Sequence, residues 1–220
     1  MLEIACFNLE SAIIAANAGV DRIEFCADFQ LGGTTPDLED FKILKSKIHI
    51  PIYIMIRCRG GNFVYSEDEF SLMKKQMQEL QEANADGFVF GFLNEKNEIL
   101  VNKCLEFISV ANGNPCTFHR AFDRTENIEK SLEILMDCGF TTVLTSGGKP
   151  NVSEGKEGLK NLITQSNNRI DILCGGGLRS TNISEIEKKT GATNFHSSGI
   201  LQGEIADFDE IQRLKTLIST

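Results

Sequence analysis

Short apolar runs recur along the 220-residue chain, separated by amphipathic stretches. The runs are rich in Ile, Val and Phe and nearly continuous in hydrophobicity, as parallel strands covered on both faces should be. The pattern predicts strands at 2–7, 21–27, 51–57, 87–91, 115–122, 141–147, 170–176 and 194–199. Between them the apolar spacing becomes helical, with recognisable ends. Thr35-Pro36 offers an N-cap followed by proline at the first helical position. Ser66-x-x-Glu69 reads as a capping box, ahead of Phe70, Met73, Met77 and Leu80 on one stripe. Asn182-x-x-Glu185 is a variant of that box, and Gly19, Gly139 and Gly191 stand where a left-handed residue should stop a helix.

Four segments echo one another: "AGVDRIEF", "ANADGFVF", "CGFTTVLT" and "TGATNFHS". Each has a helix end, Gly or Asn, two or three polar or small residues, then a strand. The markers Gly19, Asn84, Gly139 and Gly191 are 52 to 65 residues apart, about two βα units each. Four pairs of units, with no insertion large enough for a second domain, predict one α/β domain over 1–220: a closed, eight-stranded parallel (β/α)8 TIM barrel. An open doubly wound sheet is the alternative.

Alternation along the strands then sorts side chains between helices and barrel interior. Ile23, Phe88, Val143 and Phe195 occupy equivalent outward positions in the four echoes, so Glu24, Val89, Leu144 and His196 point in, and Cys26 follows Glu24. By the same period Tyr53, Met55 and Arg57 share a face, Thr117 shares one with His119, and Glu3 shares one with Ala5. The expected constellation is Glu3, Glu24, Arg57, His119 and His196, with Arg59 and Arg120 near the rim. Inward ionisable groups at the carboxyl ends of barrel strands are where such folds carry chemistry.

Charge narrows the ligand. Acids outnumber bases by 31 to 22, a formal charge of −9, which argues against nucleic acid and against an anionic membrane surface. No apolar run approaches the length of a membrane span. "MLEIACFNLE" lacks the basic start of a secretion signal. Seven cysteines with no Cys-x-x-Cys fit reduced thiols in the cytoplasm rather than a disulfide framework.

Two loops suggest an anion site. "CGGGLRSTN" places Gly175, Gly176, Gly177 and Arg179 after the seventh strand, and "HSSGI" places Ser197 at the end of the eighth. Backbone N–H groups there hold phosphate in many barrels. "TSGG" at 145–148 adds donors. Nothing has the spacing of a zinc site. Copper(I) prefers thiolate and thioether, and Cys6 and Cys26 lie near the ends of adjacent strands, with Cys58 between Arg57 and Arg59.

"LEIACFNLESA", "DRIEFCA", "GGTTP", "MIRCRGG", "DGFVFG", "TFHRAFD", "VLTSGG", "GGG" and "FHSS", in this order over about 2–199, resemble the CutC family. The resemblance implies a cytoplasmic barrel that self-associates as a homo-oligomer, a role in copper homeostasis, and copper ligands among the cysteines of the first two strands. Cys26 matches the second of these. The first departs from the family pattern, since Ala5 stands where relatives carry cysteine and Cys6 follows it, and a one-residue slip reverses the facing. Glu3, Glu24, Arg57, Arg59, His119, Arg120, Asp123 and His196 all match. Two functions follow as expectations: a copper-handling protein with Cu(I) on Cys26 and Cys6, or an enzyme (lyase, isomerase or hydrolase) using an Arg/His/Glu pocket on a small anionic, phosphorylated metabolite.

Overall fold

A computed structural model describes residues 1–218 of the chain. The strands β1 (Leu2–Cys6), β2 (Arg22–Phe25), β3 (Ile52–Met55), β4 (Gly87–Phe90), β5 (Cys116–Phe118), β6 (Thr142–Thr145), β7 (Asp171–Cys174) and β8 (Asn194–Ser197) pair in chain order. All pairs are parallel, and β1 closes against β8. The helices α1 (Leu9–Asn17), α2 (Leu38–Lys47), α3 (Glu67–Glu82), α4 (Val101–Val110), α5 (Ile128–Cys138), α6 (Lys156–Ser166), α7 (Ile183–Thr190) and α8 (Phe208–Ile218) follow their strands. The fold is the predicted (β/α)8 barrel, and the open sheet is excluded by closure. No helix of the described residues is long and apolar enough to cross a membrane.

Two apolar compartments result from the strand period. Outward residues such as Ile4, Ile23, Phe25, Phe88, Phe118 and Phe195 join the helix stripes in one continuous core. Burying each large side chain there contributes roughly 2 kcal/mol. Inside the barrel Cys26, Tyr53, Met55 and Val89 form a separate, smaller cluster. Large and small residues interdigitate in that interior. A Cβ at Gly87 would lie 2.6 Å from the Tyr53 ring, and one at Gly91 would lie 2.7 Å from the His119 ring.

The helix stops behave as the echo predicts. Gly19, Asn84, Gly139 and Gly191 all take positive φ, between 66° and 92°. Ser66 and Glu69 form the reciprocal capping box, and Phe70, Met73, Met77 and Leu80 are the buried stripe of α3. Three expectations need correction. Asp37, not Thr35, caps α2 by accepting from Glu39 N, because Thr35 is bound instead to the Arg57 backbone. Asn182 precedes α7 without capping it; its oxygen accepts from Arg179 N, and Glu185 meets Lys156. The strand expected over 115–122 ends at Phe118, because the His119 ring accepts from Ala121 N and starts a 3-10 turn over Arg120–Arg124.

Candidate active site

At the end of the barrel where strands run into α-helical loops lies a cavity of about 130 Å³. Glu24, Met55 and His196 line it from β2, β3 and β8, Cys26, Arg57 and His119 from just past the ends of β2, β3 and β5, and Phe63 and Gly32 from the loops. Glu3 lies beneath, bonded to His196. The five expected residues are brought together: Glu3, Glu24, Arg57, His119 and His196 are only 1% to 8% exposed. Charges this dry require partners, so the partners decide what the site does.

The floor is an ion network across the β8–β1–β2 seam. Glu3 accepts from Arg22 Nε at 2.5 Å and meets His196 Nδ1 at 2.7 Å. Burial pushes the Glu3 carboxyl up, but the Arg22 guanidinium and the His196 ring outweigh it and hold it below its ordinary value. His196 responds oppositely: burial disfavours its charge, yet Glu3 and Glu24 raise its pKa. Its other nitrogen, Nε2, stands 3.6 Å from Glu24 Oε2. Glu24 itself rises to about 7, chiefly by burial, against the opposing pull of His196. Glu3, His196 and Glu24 thus stand in a row, carboxylate, imidazole and carboxyl, hydrogen-bonded at the first step and separated by 3.6 Å at the second.

Across the cavity His119 is neutral. Burial, reinforced by the Arg57 charge, lowers its pKa to about 3. Its Nδ1 accepts from Ala121 N at 3.3 Å, which leaves the proton on Nε2. Carbonyl oxygens hold the Arg57 guanidinium: Nη1 donates to Leu31, Gly32 and Gly33, and Nη2 donates to Gly61. Its guanidinium lies over the Phe63 ring at 4.9 Å, and the same ring packs 4.8 Å from His119. Three buried polar atoms of cavity-lining residues have no partner: Arg57 Nε, His119 Nε2 and Glu24 Oε1. Two are donors beside a cation without a counter-ion, and the third belongs to the titrating acid.

Other expected residues sit elsewhere. Arg59 is turned away from the cavity to Glu69, at 2.5 Å. Arg179 ties the last two loops together, donating to the carbonyls of Leu178 and Ile200 and to Ser197 Oγ, while Ser197 donates to Leu178 O. Gly175 makes room for Leu144 and His196, and Gly176, at φ 104°, makes room for the Arg120 guanidinium; only Gly177 meets nothing closer than Asn151 at 3.4 Å. The 145–148 loop already holds an anion from within: Asp123 accepts from Thr145 Oγ1, Ser146 N, Gly148 N and Arg120 Nε.

The thiols divide by face. Cys26 is in the interior cluster beside Met55, and Cys6 is in the outer core beneath the helices, so the expected Cys6–Cys26 pair is split across the sheet by strand alternation. Burial, with Glu24 nearby, raises the pKa of both thiols well above its ordinary value. The donors that Cu(I) would meet at Cys26 are one thiol and the Met55 thioether. Glu3, Glu24 and His196 bring one ligand atom each within 4.8 Å of the others, but Glu3 is already committed to Arg22 and His196.

Arg22, Phe63 and Met55 carry parts of the site that the sequence reading did not assign. Arg22 stands two residues before Glu24, so the same alternation could have found it. Phe63 lies in a loop with no periodic signal.

Known proteins resemble the chain throughout this architecture. The copper homeostasis protein cutC homolog of Homo sapiens is 39% identical over 198 residues, 90% of this chain and 72% of that protein. The Mus musculus homolog is 39% identical over the same share of this chain and 73% of its own. A crystal structure described as the putative copper homeostasis protein CutC from Streptococcus agalactiae superposes with a TM-score of 0.86 at 32% identity, covering 90% of this chain and 98% of that one. The family pattern itself matches residues 1–201, and the chain belongs to the CutC family.

Proposed function

We propose that the chain takes part in copper homeostasis, the role its relatives are named for, and that its cavity binds a small anionic molecule and moves a proton on it. The observation that carries this reading is the trio of unpartnered buried atoms, Arg57 Nε, His119 Nε2 and Glu24 Oε1, on three residues that line one space of about 130 Å³. Buried polar atoms are ordinarily satisfied, so three on residues lining one void call for a ligand with complementary groups. Arg57 and His119 would donate to a carboxylate or similar oxyanion of the ligand. Glu24 would take or give the proton, with Glu3 holding the His196 ring in register beside it. The volume suits a ligand of a few heavy atoms at its reacting end.

Calorimetric titration with short carboxylic and hydroxy acids tests this. At least one should bind, and Arg57→Met or His119→Phe should weaken it tenfold or more, about 1.4 kcal/mol. Silence across the panel in wild type, or variants that bind as well as wild type, sinks the reading.

A second reading has its own observation: the Cys26 thiol and the Met55 thioether share one interior cluster at the cavity, and such soft donors favour Cu(I). Competition with a chromogenic Cu(I) chelator should then show binding that Cys26→Ser loses. Both readings are of a cytoplasmic homo-oligomer; supporting this are seven unpaired cysteines and exposed Leu72, Val101 and Leu105 on α3 and α4.

A further inference from the structure

We propose that the ligand of the inner cavity carries a second anionic group, a phosphate, which occupies a larger cavity beside it between the loops that follow β5 and β6. This rests on the reading of the inner cavity as an anion site and extends it to a substrate class: short phosphorylated organic acids, with the reacting end inside and the phosphate outside.

The outer cavity measures about 500 Å³. Phe63 and Arg120 line it as well as the inner one, so the two meet at a shared wall. Its remaining charged lining is Arg124, Lys149 and Asp123. The carboxylate is already neutralised, since Arg120 Nε donates to it at 2.9 Å and the 145–148 loop supplies the hydroxyl and amide donors described above. Three cations therefore face this space against one acid whose lone pairs are occupied. Arg124 and Lys149 make no ion pair among the described residues, whereas Lys45, Lys74 and Lys156 each meet a carboxylate. In a chain with a formal charge of −9, an unpaired cation pair beside a buried anion site is a local reversal of the prevailing field.

Geometry also argues against the other loop pair. Arg179 is consumed by Leu178 O, Ile200 O and Ser197 Oγ, and the space before Gly176 is filled by Arg120. Arg124 and Lys149, by contrast, are two loosely committed cations that line one cavity at the mouth. Arg120 is fixed between the two cavities by Asp123, Ser146 Oγ and Pro150 O, so the shared wall is rigid.

The test is calorimetric titration of the whole chain with matched pairs of short hydroxy acids and their monophosphates, glycolate and phosphoglycolate first. Wild type should bind the phosphorylated partner at least tenfold more tightly. The double variant Arg124→Ser/Lys149→Ser should lose that advantage and keep its affinity for the unphosphorylated acid, while Arg57→Met weakens both. If the monophosphate binds no tighter in wild type, or the double variant keeps the preference, the outer site is overturned and the inner one stands. If no member of any pair binds wild type, both fall.

Discussion

Glu24 and His119 face one cavity, and burial drives each towards its uncharged form, with opposite consequences for pH dependence. Glu24 rises from 4.5 to about 7, so between these values the folded chain keeps a proton that the unfolded chain has released, and stability falls as pH rises. His119 drops from 6.5 to about 3, so there the unfolded chain holds the extra proton, and stability rises with pH. The two slopes, about 1.4 kcal/mol per pH unit each, overlap between pH 4.5 and 6.5 and oppose one another. Glu3, held low, acts below that window, and His196, held high, acts above it. Urea denaturation across the window should therefore separate the single variants. Relative to wild type, Glu24→Gln should gain stability with rising pH and His119→Asn should lose it, each by about 3 kcal/mol over the window. Slopes that match wild type would remove the charge states assigned to the cavity. At this scale the facing of Glu24, Arg57, His119 and His196 was legible, because a strand has a fixed period of two. Arg59 was not: ladder bonding runs one residue past β3, to Ile56, so Arg57 keeps the strand's facing, but Arg59 lies three residues beyond Ile56, where the chain has left the sheet and the Glu69 carboxylate at the capping box draws the guanidinium aside.

Elements set how precisely these side chains are held. Gly91, just past β4, is the gap into which the His119 ring fits. Gly91→Ala would put a methyl 2.7 Å from that ring, with backbone φ outside the left-handed region. The expected cost is about 1–3 kcal/mol from overpacking, accompanied by displacement of the imidazole. Loss of anion affinity in calorimetry together with a shifted His119 ring signal in NMR would report it; an unchanged ring would contradict the packing. The helices and their stops were readable from capping residues and glycine positions, since those signals are local. The loops were not. "TSGG" has the composition of an anion cradle, and it is one, but the anion is Asp123, two dozen residues earlier, and only tertiary closure brings it there. The triple glycine likewise serves neighbours, Leu144, His196 and Arg120, that a sequence cannot show as neighbours.

For the whole molecule the critical place is the seam where β8, β1 and β2 complete the barrel. Arg22, Glu3 and His196 come one from each of these strands, and the bonds between them cross both strand pairs. Arg22→Met would leave the Glu3 carboxylate buried without its guanidinium, a loss of about 3–5 kcal/mol. For a chain of this size that is roughly 10 °C in Tm, measurable by scanning calorimetry, and adding Glu3→Gln should restore part of it. A Tm within a degree of wild type would mean that the seam does not depend on this pair. Asp123 has a consequence on the same scale. Because the chain carries its own carboxylate into the 145–148 loop, the mouth of the barrel is shaped before anything arrives. An anion of the proposed kind would then need no folding-over of a lid, and the speed of its association would be left to diffusion and to the cations at the entrance.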